Sequence, residues 1–179
     1  MIIIALGSNL AGVFGSPEDS LRRALGELAT SGVRVKSTSR LYRTRALGSR
    51  HQPDFLNAVA TAHSPLPPDA LLQILKRIEA QAGRRPRKAV RHWAPRPLDL
   101  DIVSYKGVVH NWRLWKPLEG KRVILPHPRA HERAFVLQPL SEVAPFWHHP
   151  IFGLTASEFL TRPAVRETGA IIKACGGLR

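Results

Sequence analysis

A chain of 179 residues with 44% hydrophobic content is long enough for one domain with a real core and only slightly exceeds the usual size of one. No stretch approaches the ~18 consecutive apolar residues of a membrane span, and a lone cysteine, Cys175, excludes an internal disulfide or a thiolate metal cluster. Charge is the unusual total: 27 Lys+Arg against 13 Asp+Glu gives +14, which draws nucleic acid and nucleotides alike, or else only solvates the surface.

Residues 2–6 form a short apolar run without a basic leader, ended by Gly7-Ser8-Asn9, so the start reads as a first strand of a cytosolic protein. Ser16-Pro17-Glu18-Asp19 supplies an N-cap, a first-turn proline and early acids, and the spacing of Leu21, Ala24, Leu25 and Leu28 predicts a helix to about Ala29. Alternation over residues 33–41 predicts one strand with a wet face, residues 45–53 read as a loop, and residues 55–62 as another strand. A helix follows over residues 69–82, with Leu71, Leu75, Ile78 and Ala82 as its buried stripe and Gly83 as its stop. After a basic loop over residues 84–97 comes a strand over residues 98–105. The order β-α-β-β-α-β predicts an α+β, ferredoxin-like two-layer sandwich with a mainly antiparallel sheet.

Beyond it the pattern is less regular. Lys106-Gly107 reads as a hairpin turn, residues 112–120 as a tryptophan-bearing insertion, and Thr155-Ala156-Ser157-Glu158 as a capping box opening a last short helix.

In the strand Leu98-Asp99-Leu100-Asp101-Ile102, a period of two puts both aspartates on one face and the apolar residues on the other. Their attachment points lie about two rises apart, ~6.6 Å, so their oxygens can converge on one metal ion or bridge two. Two acids this close in a half-buried strand require a cation, or one takes up a proton. Six basic residues, Arg84, Arg85, Arg87, Lys88, Arg91 and Arg96, stand just upstream without an acid among them. Hard oxygens beside guanidinium groups are what phosphoryl transfer requires, because that chemistry is mostly positioning and charge neutralisation. The alternative is an ordinary wet strand face and a solvated loop.

His127 and Arg133 can donate to phosphates. A zinc site at His127 and His131 fits poorly, because Phe135 stands where a zincin motif needs its second His. His148 and His149 read as surface residues. Gly7-Ser8-Asn9 lacks the Lys-Ser or Lys-Thr of a Walker A loop and reads as a tight strand exit. A basic RNA-binding sheet would carry paired aromatics in a Lys/Arg-Gly-Phe-type signature, which is missing.

Taken together, the blocks Ala5-Leu6-Gly7-Ser8-Asn9-Leu10, Ser39-Arg40-Leu41-Tyr42-Arg43-Thr44, Gln52-Pro53-Asp54-Phe55-Leu56-Asn57, Trp93-Ala94-Pro95-Arg96-Pro97-Leu98-Asp99-Leu100-Asp101-Ile102, Leu125-Pro126-His127-Pro128 and Arg133-Ala134-Phe135 are similar to those of a folate-pathway family. The chain resembles the 2-amino-4-hydroxy-6-hydroxymethyldihydropteridine pyrophosphokinases from residue 2 to about Pro145. That resemblance implies that ATP, as co-substrate, gives its diphosphate to the hydroxymethyl oxygen of a dihydropterin, with AMP leaving. It implies that Asp99 and Asp101 hold two Mg²⁺, and that Arg84, Arg96, His127 and Arg133 neutralise the triphosphate. Glu79, Ile102 and Arg122 would lie in the same nucleotide pocket. Thr44, Leu47, Phe55, Asn57, Trp93 and Phe135 would form the pterin slot. The partners implied are small molecules, with no nucleic acid, no membrane and a monomeric protein. The chain departs from the family at Ala94, where a Gly is usual, at Arg45-Ala46, in a longer loop over residues 85–92, and in the insertion over residues 112–120.

Overall fold

Apolar side chains on both sides of Ile2–Ser8 (β1) place it at the centre of a sheet: Ile2, Ile4 and Leu6 are buried against one layer and Ile3 against another. This computed structural model describes residues 1–46, 52–85, 94–112, 123–166, 168 and 171–178. The helix expected after Ser16 is α1 (Pro17–Thr30), opened by the capping box that the sequence announces, in which Ser16 Oγ accepts from the Asp19 amide and Asp19 Oδ2 accepts from that of Ser16.

The single strand predicted over residues 33–41 is two, β2 (Arg34–Thr38) and β3 (Arg40–Thr44), broken at Ser39. Its N–H donates to the Val59 carbonyl at 2.9 Å, while its hydroxyl, not its carbonyl, accepts from the Val59 N–H at 3.0 Å. The side chain thus replaces a ladder group, and the alternation changes face at that residue. β4 (Phe55–His63), α2 (Pro68–Gln81) and β5 (Asp99–Tyr105) fall within a residue or two of expectation. Gly83 has φ +93, the left-handed geometry that ends a helix readily only at glycine. Lys106 and Gly107 both have positive φ, and Val108 N–H donates to the Tyr105 carbonyl, as in a type I′ turn.

The strands are antiparallel in the order β5-β1-β4-β3-β6, with β2 also paired to β4. Counting β2 and β3 as one broken strand, the order of the first four is the ferredoxin-like one. Leu21 and Leu28 of α1 and Leu71, Leu75 and Ile78 of α2 pack on Ile4, Leu6, Ala60, Leu98, Leu100 and Ile102. This is the expected α-on-β sandwich.

The C-terminal third adds a partial layer on the opposite face. α3 (Ala134–Val143), α4 (Ala156–Leu160) and α5 (Pro163–Arg166) bury Val136, Leu137, Leu140, Phe159 and Val165 against Ile3, Val59 and Val103. Only the capping box of α4 was legible beforehand. Pro139 lies inside α3 and masks it from local propensity, whereas burial of its neighbours overrides that cost. β6 (Ile171–Gly177), with Cys175, pairs with β3 and was also unforeseen, because its glycines and exposed side chains give no alternation.

Of the two histidines read as surface residues, His148 is exposed, but His149 is buried. Its ring sits 4.9–5.7 Å from those of Phe152, His131, Trp112, Trp147 and Phe159, and this cluster of rings removes it from water.

Candidate active site

Three adjacent strands set the floor of the site. Gly7 of β1 lies opposite Asn57 of β4 on one side and Asp99 of β5 on the other, and Ala5 lies opposite Asp101. These residues share the face that carries α3, but α3 covers Ile3, Val59 and Val103 and leaves the aspartate end open. Side chains of Asp99 and Asp101 are 24% and 34% exposed, whereas Leu100 and Ile102 point into the α1/α2 core, as the period of two requires. A Cβ on Gly7 would stand 2.9 Å from Asn57 Oδ1, 3.8 Å from the Phe55 ring and 3.9 Å from Asp99 Cβ, so only glycine keeps this row flat.

The two aspartates differ in their partners. Asp99 takes a short ion pair from Arg84 Nη1 and a second from Arg96 Nη1 at 2.8 Å. Burial by itself would raise its pKa, but the two guanidinium groups outweigh it and hold the carboxyl at about 2. The requirement for a cation beside the acid pair is therefore met at Asp99 by arginine. Asp101 is held loosely, with Lys76 Nζ and His127 Nε2 each 3.9 Å from its oxygens.

β5 is the outermost strand on its side, and its outward backbone groups need partners. Glu79 of α2 supplies one: its Oε1 accepts from the Leu100 N–H, from Lys76 Nζ and from Arg84 Nη1, each at 2.7 Å. Lys76 and Arg84 in turn donate to the carbonyls of Leu100 and Leu98. Burial pushes the Glu79 carboxyl up, against the pull of Lys76 and Arg84. Glu79 is thus a clamp that aims Arg84 at Asp99.

His127 receives the Arg129 N–H on Nδ1 at 3.1 Å, so its neutral ring carries the proton on Nε2, facing Asp101. Burial holds its pKa down, with Arg133 pushing the same way and Asp101 opposing. The Arg133 guanidinium sits 5.6 Å over the Phe135 ring, and its Nε is buried with no partner among the described residues. An unpaired buried guanidinium nitrogen beside two acids is suited to an anionic ligand. On the other side of Gly7, Asn57 Nδ2 donates to Thr44 Oγ1 at 2.7 Å, which leaves Oδ1 toward Gly7. Phe55 and Phe135 are half-buried rather than locked in the core.

The sequence matches the family described as 7,8-dihydro-6-hydroxymethylpterin-pyrophosphokinase over residues 3–145. The chain belongs to this family. It is 38% identical to the 2-amino-4-hydroxy-6-hydroxymethyldihydropteridine pyrophosphokinase of Synechocystis sp., over 88% of this chain and 73% of the relative. It is also 38% identical to the enzyme of that name from Haemophilus influenzae, over 79% of each, and 31% identical to that from Aquifex aeolicus, over 96% and 98%.

Arg84, Arg96, Asp99, Asp101 and His127 converge around the open end of β5, close enough to Arg133 for both aspartates to act on its charge, with Thr44, Asn57 and Phe55 across Gly7. The Ile102 side chain is 4% exposed and packs in the α1/α2 core, so any part of Ile102 in nucleotide binding falls to its backbone. Leu47, Trp93, Arg122, the loop cations Arg87, Lys88 and Arg91, and most of the 112–120 insertion lie outside the described residues. Lys76 and Asn9 were not singled out. Nothing distinguishes Lys76 from a solvated helix residue until Glu79 is seen to be buried, and Asn9 looks like any turn residue.

Among the described residues no third His, Cys, Asp or Glu joins the two aspartates in a metal-binding group. Two carboxylates on one strand nevertheless fit Mg²⁺, which is held by one or two carboxylates and completes its octahedron with phosphate oxygens and water. A separate cavity of about 540 Å³, lined by Asn9, Pro17, Arg43, Pro53, Leu56 and Cys175, opens on the α1 side of the sheet. Asp54 is the one acid among its described lining residues, in contrast to the acid pair on β5.

Proposed function

We propose that this chain transfers the diphosphate of ATP to the hydroxymethyl group of 6-hydroxymethyl-7,8-dihydropterin in folate biosynthesis, releasing AMP. The observation that carries the reading is the row Asn57–Gly7–Asp99, which sets an amide pocket across β1 from an acid pair ringed by arginines. A flat heterocycle with an amide edge matches an Asn, a Thr and half-buried phenylalanine faces. A triphosphate matches Arg84, Arg96, Arg133 and the Nε2–H of His127.

In the reaction the hydroxymethyl oxygen attacks Pβ, the bond from Pβ to the α,β-bridging oxygen breaks, and AMP leaves with that electron pair while the hydroxyl proton is lost. Asp99 and Asp101 would hold Mg²⁺, which supplies neutralisation of phosphate charge when bound. Arg96, fixed on Asp99, and Arg133, stacked on Phe135, place positive charge where negative charge accumulates on the transferred group. Both phenylalanines help to exclude water, which would otherwise compete for Pβ. We take the protein to be a cytoplasmic monomer built as one domain over residues 1–179, with Mg²⁺ as its ion. Among the described residues no helix is long and apolar enough to cross a membrane.

The test is product analysis with ATP, Mg²⁺ and the pterin alcohol. Equal amounts of AMP and pterin diphosphate are expected. Release of ADP, or of pyrophosphate with a nucleotidylated product, rules the assignment out.

A further inference from the structure

Asn9 follows β1 and is 3% exposed, yet among the described residues its hydrogen bonds go to loops rather than to the sheet. Its N–H donates to the Arg96 carbonyl at 3.1 Å, and its side-chain Oδ1 accepts from the Arg96 N–H at 2.8 Å. The amide side chain thereby extends the β1–β5 ladder one step past the Gly7–Asp99 pair and fixes both backbone groups of Arg96. The remaining polar end, Nδ2, donates to the Pro53 carbonyl at 3.1 Å. Next to it, Ser8 Oγ donates to the Pro97 carbonyl at 2.7 Å.

Pro53 stands two residues before Phe55, at the entry to the strand that carries Asn57, and lines the α1-side cavity together with Asn9, whereas Arg96 grips Asp99 at the acid pair. One buried side chain therefore ties the segment that enters β4, and so leads to Phe55 and Asn57, to the segment that carries Arg96. Attack on Pβ requires the reacting atoms of two separately bound substrates to meet at ~3–3.5 Å, and a 1 Å misplacement costs about a hundredfold. We infer that Asn9 is a positioning residue that couples pterin binding to nucleotide binding. The inference rests on the pyrophosphokinase reading above.

Two substitutions separate its bonds. Asn9→Asp keeps an acceptor for the Arg96 N–H but replaces the donor to Pro53 with a second acceptor, so it cuts the tie between the two segments. Asn9→Ala removes both side-chain bonds and introduces no charge. The experiment is calorimetry of the full-length protein with the pterin alcohol, without and with Mg²⁺ and the α,β-methylene analogue of ATP, alongside steady-state kinetics.

In the unsubstituted protein the expected result is that the nucleotide raises pterin affinity. In both variants that enhancement falls by about tenfold or more and kcat falls by about a hundredfold, while affinity for the nucleotide alone in Asn9→Asp stays within about threefold. A merely structural residue would weaken both ligands together and leave the enhancement unchanged. Should Asn9→Asp fail to fold, Asn9→Ala decides. An unchanged enhancement in a folded variant, with kcat within about threefold of the parent, overturns the inference. If the unsubstituted protein does not bind the pterin even with nucleotide and Mg²⁺, the pyrophosphokinase reading itself falls, and the coupling with it.

Discussion

Replacing Glu79 with alanine tests whether the active-site arginine is held from behind. The carboxylate is buried, and one oxygen takes three donors at 2.7 Å, one of them the outward N–H of the edge strand at Leu100. Without it the Leu100 N–H has no acceptor, which costs about 1–3 kcal/mol for a buried group. Lys76 and Arg84 are partly exposed and recover water, so each adds at most about 1 kcal/mol. The expected loss is therefore about 1–5 kcal/mol, against the 5–15 kcal/mol typical of a domain. Glu79→Gln keeps an acceptor for Leu100 and relieves the burial of charge, so it should cost less than half as much. Urea denaturation gives both values, and amide hydrogen exchange at Leu100 reports the local opening directly. Catalysis should fall in the alanine variant even where it remains folded, because Arg84 loses the group that aims it at Asp99. A loss below about 1 kcal/mol with unchanged exchange at Leu100 would refute the clamp.

Asp101→Ala should lower AMP formation by about a thousandfold or more, since it removes one of the two carboxylates that face the phosphates. Its oxygens make no hydrogen bond among the described residues, so stability by urea denaturation should change by less than about 1 kcal/mol. Gly7→Ala puts a methyl group 2.9 Å from Asn57 Oδ1 and should weaken pterin binding by about tenfold to a hundredfold, with nucleotide affinity nearly unchanged, as calorimetry can show. Burial among the rings, aided by His131, holds the His149 imidazole down to about 4, against 6.5 for the free group. Between those values the unfolded chain takes up a proton that the folded one refuses. This contribution is therefore constant above about pH 6.5 and declines as pH falls, by roughly 2 kcal/mol at pH 5. Comparing urea midpoints of the parent and His149→Phe at neutral pH and about pH 5 checks this, and an equal acid loss in both would remove His149 as its source.

Much of this architecture is local in origin. Ser16 and Thr155 announce helix starts because their hydroxyls cap nearby amides, and Gly83 and Gly107 mark stops and turns because they sit at positive φ. The placement of Asp99 and Asp101 on one face follows from strand geometry alone, whatever the strand packs against. Ser39, α3 and β6 were hidden for a common reason: each depends on a distant partner, respectively Val59, the Ile3/Val59/Val103 face, and β3. His149 was misplaced because its shell is assembled from Trp112, His131, Phe152 and Phe159.

The amino-acid sequence by itself determined the acid pair, the basic residues around it, the order of strands and helices, and the family. Tertiary structure decided what each residue does there. Only pairing across β1 sets Asn57 beside Asp99, only the exposed edge of β5 turns Glu79 into a clamp, and only the meeting of two loops gives Asn9 its bonds. The physical reason is range: caps, turns and alternation are settled within a few residues, whereas these contacts join residues between 21 and 92 positions apart and exist only once the sheet has closed.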